Sequence, residues 1–172
     1  MMRLKRFFKH RWVNEASTRY ALTPELLKRI EQRVRGSERR HSGEIRICVE
    51  TSLPLHYLYR HEPTSTLVRD RAVEIFSTLG VWDTANNNGI LIYLLAVENA
   101  IEVVADRGLN GAMNGDAWTP IVAEMGEAFR RQDYEGGLTR ALEEVSAVLM
   151  QHFPLQSDER NPNELSNTLV FK

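Results

Sequence analysis

Apolar residues return along the chain in two rhythms, and the switches between them mark out the elements. In residues 22–37, Leu26, Leu27, Ile30 and Val34 recur at the spacing of one helix face. Thr23-Pro24 opens that helix, a capping hydroxyl followed by proline at the first helical position, with Leu22 and Leu27 placed as a hydrophobic staple. Gly36 is the expected stop, unless "SERRH" prolongs the helix. "EIRICVET" (44–51) then alternates, with Ile45, Ile47 and Val49 on one face and Glu44, Arg46, Cys48 and Glu50 on the other. That pattern predicts a strand with unequal faces. A loop with Pro54 and Pro63 follows. Leu67, Val68, Ala72, Ile75, Phe76 and Leu79 restore the helical period, closed by Gly80.

"GILIYLLAV" (89–97) is too apolar to alternate and too short to cross a bilayer, so it reads as a central strand covered on both faces. Glu98-Asn99 is a polar break, and "AIEVVAD" (100–106) is the return arm of a hairpin. Trp118, Ile121, Val122, Met125, Ala128 and Phe129 predict a helix starting near 116–120, where Pro120 sits. "RQDYEGG" breaks it, and Leu138, Ala141, Leu142, Val145, Leu149 and His152 predict the last helix. Residues 154–172 read as a polar tail, lying on the surface or frayed.

The order helix, strand, helix, strand, strand, helix, helix predicts an α/β fold, a three-layer α/β/α sandwich around a small mixed sheet. Strands 44–51 and 89–97 are joined through a helix and are expected to run parallel; strand 100–106 returns antiparallel. The expected organisation is a basic amphipathic segment at 1–20, an α/β domain at 21–153 and the polar tail at 154–172.

Charge refines this picture at one place. The net charge is −1, but residues 1–11, "MMRLKRFFKHR", hold five Lys or Arg and no acid, so the rest of the chain carries −6. A broad nucleic-acid surface is not expected. Leu4, Phe7, Phe8 and Trp12 stand at helical spacing among those cations. The favoured reading docks the aromatics on the domain's own core; the other adsorbs them to an anionic membrane or a partner. Phe7-Phe8 is followed by charge instead of an apolar core, so no signal peptide is read and the expected address is cytoplasmic, peripheral at the inner membrane if the segment adsorbs. Cys48 is the sole cysteine, which excludes an internal disulfide.

The candidate chemistry follows from the topology. Glu44 at the start of one strand, Asn86, Asn87 and Asn88 at the start of the next, and Asp106 at the end of the third fall at one rim of the sheet, with adjacent strands ~4.8 Å apart. Asp83 precedes the asparagines and Asp116 follows a loop punctuated by Gly108, Gly111 and Gly115. An oxygen-only set suits a hard cation, calcium or magnesium, and no organic cofactor is implied. Asn-Gly is equally a common turn signal, and Asp often caps backbone N–H groups. The EF-hand template fails, with Ala85, Asn88 and Leu94 where it needs ligands or glycine. His56 and His61 lack zinc spacing, and no GxSxG, Walker or GxGxxG motif occurs. Arg71, Arg107 or Arg131 near the acidic rim would suit an anion.

"GEIRICVE", "VWDTANNNGILIYLLA", "IEVVADRGL" and "FRRQDYEGGL", in that order, resemble the TPM domain family over roughly residues 43–150. The chain looks like the short proteobacterial branch, which has a basic amphipathic N-terminus; longer relatives carry a signal peptide and a membrane-anchoring or low-complexity tail. The resemblance implies a Rossmann-like α/β/α sandwich. It also implies a choice of roles, since some members bind calcium, a thylakoid member is described as an acid phosphatase, another is linked to photosystem repair, and a nematode member is an accessory receptor subunit. Bacterial relatives are often encoded near LemA-type membrane proteins. The family's binding rim maps onto Asp83, Asn87, Asn88, Gly89, Asp106 and Gly108, to which the topology adds Glu44 and Asp116. The expectation is a non-catalytic, calcium-binding accessory domain for a membrane-associated, LemA-like partner. The alternative is a metal-dependent phosphomonoester hydrolase, for which no nucleophile or general acid is readable.

Overall fold

The computed structural model describes residues 2–12, 22–109, 119–131 and 133–172. In chain order these form α1 (Met2–Arg11), α2 (Pro24–Ser37), β1 (Glu44–Glu50), α3 (Leu55–Leu58), α4 (Thr64–Thr78), β2 (Gly89–Leu95), β3 (Ala100–Ala105), α5 (Thr119–Arg130), α6 (Tyr134–His152) and β4 (Val170–Phe171). The sheet runs β3-β2-β1-β4. β1 and β2 are parallel, from Glu44 opposite Gly89 to Glu50 opposite Leu95. β2 and β3 form the antiparallel hairpin, with Ile90 opposite Ala105.

Alternation along the strands sorts the core into two layers. Ile45, Ile47, Val49, Ile90, Ile92, Leu94, Ile101 and Val103 face α2, α5 and α6, where they meet Ile30, Phe129, Leu142 and Leu149. Cys48, Leu91, Tyr93, Leu95 and Val104 face α3 and α4 and meet Tyr57, Leu67 and Ile75. Both faces of β2 are therefore covered, as its unbroken apolar run required. Burial pushes the Cys48 thiol up to about 12, so it is a packing residue and not a nucleophile.

The helix ends follow their local chemistry. Thr23 Oγ1 accepts from Leu26 N–H at 3.3 Å and Pro24 occupies the first turn. The helix passes through Gly36 to Ser37, so that glycine does not stop it. β2 ends at Leu95 instead of 97, because Ala96–Glu98 tightens into a 3₁₀ turn and Asn99 takes a left-handed φ of 49°. The proline loop also holds a helix the sequence did not announce, the single turn of α3.

The largest correction concerns residues 154–172. They lie on the surface, none of them fully buried, but they are not frayed: they return to the sheet edge, where β4 pairs parallel with β1, Cys48 opposite Val170 and Val49 opposite Phe171. Lys172 N–H donates to Val49 O and Thr51 N–H to Lys172 O, each at 2.9 Å. The polar face of β1 explains this return. The Glu44 carboxylate accepts from Glu164 N–H (3.0 Å) and Leu165 N–H (3.1 Å). The Arg46 guanidinium donates to Ser166 O and, at 3.2 Å, to Thr168 O. Every residue of β1 is buried as a result. A segment held through its backbone by another strand's side chains needs no apolar rhythm of its own, which is why the pattern did not reveal it.

Candidate functional site

The three asparagines before β2 have separate tasks. Asn87 adopts φ 51°, the left-handed region that Asn tolerates, and its N–H donates to Thr84 O at 3.1 Å. Its side-chain Oδ1 accepts from Arg107 Nε at 2.8 Å, and its carbonyl accepts from Gly108 N–H at 2.9 Å. Asn88 is fully buried; its N–H donates to Thr84 Oγ1 (3.0 Å) and its Nδ2 to Ser42 O (3.1 Å). Asn86 is exposed. Two glycines are required by close approach. A Cβ on Gly89 would lie 1.9 Å from Val81 O, and one on Gly108 would lie 2.5 Å from Asn87 O. Turn chemistry thus accounts for much of the motif.

It does not account for two oxygens. Asn88 Oδ1 and Asp106 Oδ2 are buried and have no hydrogen-bond partner among the described residues. Buried polar atoms are ordinarily paired with protein or water, so these two oxygens are the acceptors this rim keeps free of the described residues. They share that rim because Asp106 N–H donates to Gly89 O at 2.9 Å, which sets Asp106 across from the residue after Asn88. Asp106 Oδ1 is already engaged by Arg107 N–H at 2.7 Å. Arg107 belongs to the rim through Asn87, as its contact above shows. Asp83 lies exposed in the turn leading to β2, its N–H closing on Gly80 O at 3.0 Å. Asp116 lies outside the described residues.

Two of the expected site residues are employed elsewhere. Glu44 lies at the rim, opposite Gly89, but its two carboxylate oxygens hold the backbone amides of Glu164 and Leu165. Burial raises its pKa, against the pull of those amides. Arg71 is not at the rim. It binds Glu50 through Nε (2.9 Å) and Nη2 (2.6 Å) at the far end of β1, and Glu74 at 2.9 Å, so its charge is neutralised internally. The exposure of the N-terminal aromatics also departs from the expected docking. Leu4 is 68 %, Phe8 46 % and Trp12 80 % exposed, while Phe7 is half-buried against Tyr59, ring centroids 6.1 Å apart.

The sequence also gave no sign of Glu164, whose carboxylate accepts from Ala85 N–H at 3.2 Å and so brings a further acid beside the asparagine turn. Behind the rim, a cavity of about 530 Å³ opens between α2 and the returning segment, lined by Arg35, Arg39, Arg160, Glu159 and Asn161. Glu38 forms part of its wall. Burial lifts that carboxyl to about 7, while Oε1 accepts from Ile45 N–H at 3.2 Å. Only a fold that brings residues 155–163 beside α2 assembles these groups.

No trio of His, Cys, Asp and Glu side chains close enough to hold a metal ion occurs among the described residues. The rim's donors are carboxylate, amide and carbonyl oxygens, which fit a hard cation in kind. Their charged members are too few to form a closed cage, so backbone oxygens or water would complete the shell.

Three comparisons place this geometry among known proteins. The family model described as TPM domain matches residues 18–148. The solution structure of the BA42 protein from the psychrophilic bacterium Bizionia argentinensis is similar over 87 % of this chain and 94 % of that one, with 27 % identity and a TM-score of 0.72. The N-terminal domain of a protein from P. gingivalis shares the fold over 78 % of this chain and 82 % of that one, at 21 % identity and a TM-score of 0.61. No curated protein matches the chain.

Proposed function

The chain belongs to the TPM domain family, and from that premise we propose that it is a non-catalytic accessory domain that binds a divalent cation at the asparagine rim. Calcium is the favoured ion. The observation that carries this reading is the pair of unpartnered buried oxygens, Asn88 Oδ1 and Asp106 Oδ2. Asp83 and the carbonyls of the asparagine turn are the nearest supplements along the chain. A sparse, oxygen-only donor set with few carboxylates suits calcium, which accepts six to eight oxygens in flexible geometry, better than magnesium, which demands a near-ideal octahedron. Weak affinity, on the order of 10⁻⁴–10⁻³ M, is expected from so few charged ligands. The bound ion would neutralise the Asp106 carboxylate and stiffen the turn between α4 and β2. The cytoplasmic, membrane-peripheral address and a membrane-associated partner of the LemA type belong to the same proposal. No helix among the described residues is long and apolar enough to cross a membrane.

Backbone NMR with calcium titration tests the reading. Resonances of residues 83–89 and 106–109 should shift at millimolar calcium, and the shifts should vanish in Asp106→Ala. Still resonances in the wild-type chain remove the ion from the proposal. A second reading, a metal-dependent phosphomonoester hydrolase, is favoured by one observation, the Arg107 guanidinium held at the rim by Asn87. It requires phosphomonoester hydrolysis by the purified chain that disappears in Asp106→Ala; activity that survives that change removes this reading.

A further inference from the structure

α1 is docked in an orientation opposite to that of an ordinary amphipathic helix. Two of its polar side chains, Arg6 and His10, face the protein beside the half-buried Phe7. Arg6 is 6 % exposed and its guanidinium donates to the carbonyls of Leu58, Arg60 and Glu62, the last at 2.9 Å. His10 is 4 % exposed; its Nδ1 accepts from Leu53 N–H at 3.1 Å and its Nε2 meets Glu98 Oε1 at 2.9 Å. Those contacts leave Leu4, Phe8 and Trp12, one helical turn apart, along the outer face. Exposed Arg11 flanks that stripe on one side and exposed Lys5 on the other, with Lys9 beyond it paired to Glu98 at 2.5 Å. The patch continues onto α3, where Leu55 is 50 % and Tyr59 56 % exposed, through the ring contacts Tyr59–Phe7, Phe7–Phe8 and Phe8–Trp12.

We propose that this face is a docking surface for an anionic phospholipid membrane. Two features select that occupant. The outer face combines large apolar and aromatic groups with flanking cations, the composition of a helix lying in the headgroup boundary. α1 contains no acidic residue, so it complements a negative surface and repels a second copy of itself. A helix of ten residues gives reversible adsorption and not an anchor. The placement also orients the protein. α1 packs where β1 and β2 finish, against Ser52 and Glu98, while the asparagine rim lies where they start. Seven-residue strands separate the two by roughly 20 Å, so docking leaves the rim in water.

Sedimentation of the intact chain with phosphatidylcholine vesicles, with and without phosphatidylglycerol and with calcium chelated, tests this apart from the cation rim. The chain should sediment with the phosphatidylglycerol vesicles, and less so as salt is raised. Leu4→Glu/Phe8→Glu/Trp12→Glu and, separately, Lys5→Glu/Arg11→Glu should each weaken binding by about tenfold or more, with wild-type thermal melting because these side chains point outward. Tryptophan emission should move to the blue on binding, and Trp12→Phe should abolish that shift. Absence of sedimentation with anionic vesicles, or equal sedimentation of the Leu4/Phe8/Trp12 variant, overturns the proposal. A dimer in sedimentation velocity that the same variant dissolves overturns it in favour of self-association.

Discussion

At the far end of β1, Glu50 holds Arg71 through two bonds and accepts from the Tyr93 hydroxyl at 2.7 Å; Tyr57 donates to Glu74 at 2.7 Å alongside. At the near end, Asp106 and Asn88 each keep a buried oxygen without a partner. Both ends gather acids and an arginine around strand termini, joined by tyrosines at the far end and by asparagines at the near one. They differ in what remains after the internal bonds are made. The far end is closed in charge but leaves the neutral Thr51 Oγ1 unpaired, while the near end leaves a carboxylate oxygen and an amide oxygen unpaired. Residue type located only the near end and misplaced Arg71 there; what separates the two ends is that the unpaired oxygens of the near end include one on a carboxylate.

The contrast can be broken most forcefully at the closed end. Glu50→Ala leaves the Arg71 guanidinium buried with only the half-exposed Glu74 as counter-ion, and should cost about 3 kcal/mol in urea unfolding. The double change Glu50→Leu/Arg71→Met should recover most of that loss, because apolar packing replaces the pair. No loss in Glu50→Ala would show that the network is not closed.

A middle effect is expected at Glu44, which lies at the near end yet behaves like the far one. Glu44→Gln presents an amide N–H₂ to one of two backbone donors, and should destabilise by about 2 kcal/mol while leaving any calcium response in place. If calcium shifts vanish instead, Glu44 is a ligand and the division between the two ends is drawn in the wrong place. Asp106→Asn is the counterpart. Stability should move by less than about 1 kcal/mol, since an orphaned oxygen contributes no native bond, whereas the calcium response should be lost.

The smallest effect is a pH slope. The buried Glu38 carboxyl titrates near 7 in the fold against an ordinary 4.5, so the native state holds the extra proton between those values. Its contribution is complete below pH 4.5 and is lost as pH rises through about 7. His41 has the opposite sign: burial holds it near 4 against an ordinary 6.5, so its protonation disfavours the fold as pH falls from 6.5 towards 4. The two partly cancel in the wild-type chain. Urea midpoints of Glu38→Gln should therefore rise with pH between 4 and 6.5 more steeply than wild type, and a parallel pair of curves would rule out the Glu38 assignment.

Much of the architecture was legible because burial writes periodicity into a sequence. The unbroken apolar run of β2, the Thr23-Pro24 start and the return of β3 all carried local signals. So did the convergence of Asp106 with Asn87 and Asn88, which follows from strand directions alone. β4 and the roles of Glu44 and Arg46 did not, because their bonds run between side chains and the backbone of a segment some 120 positions away. The orientation of α1 was illegible for a related reason. Its helical spacing identified two faces, but the carbonyls that capture Arg6 come from residues 58–62 and reverse the usual choice of which face turns inward.

The seam along β1 has a consequence for the order of events during synthesis. Until residues 164–172 emerge, Glu44 and Arg46 lack the backbone groups that satisfy them, and the outer edge of β1 stays unpaired. The nascent chain must keep that polar flank hydrated while the rest collapses, so closing the seam is a late step governed by a long loop closure. A ribosome stalled shortly before that stretch would hold a domain whose sheet has an open side, the state most prone to pairing with a neighbouring chain.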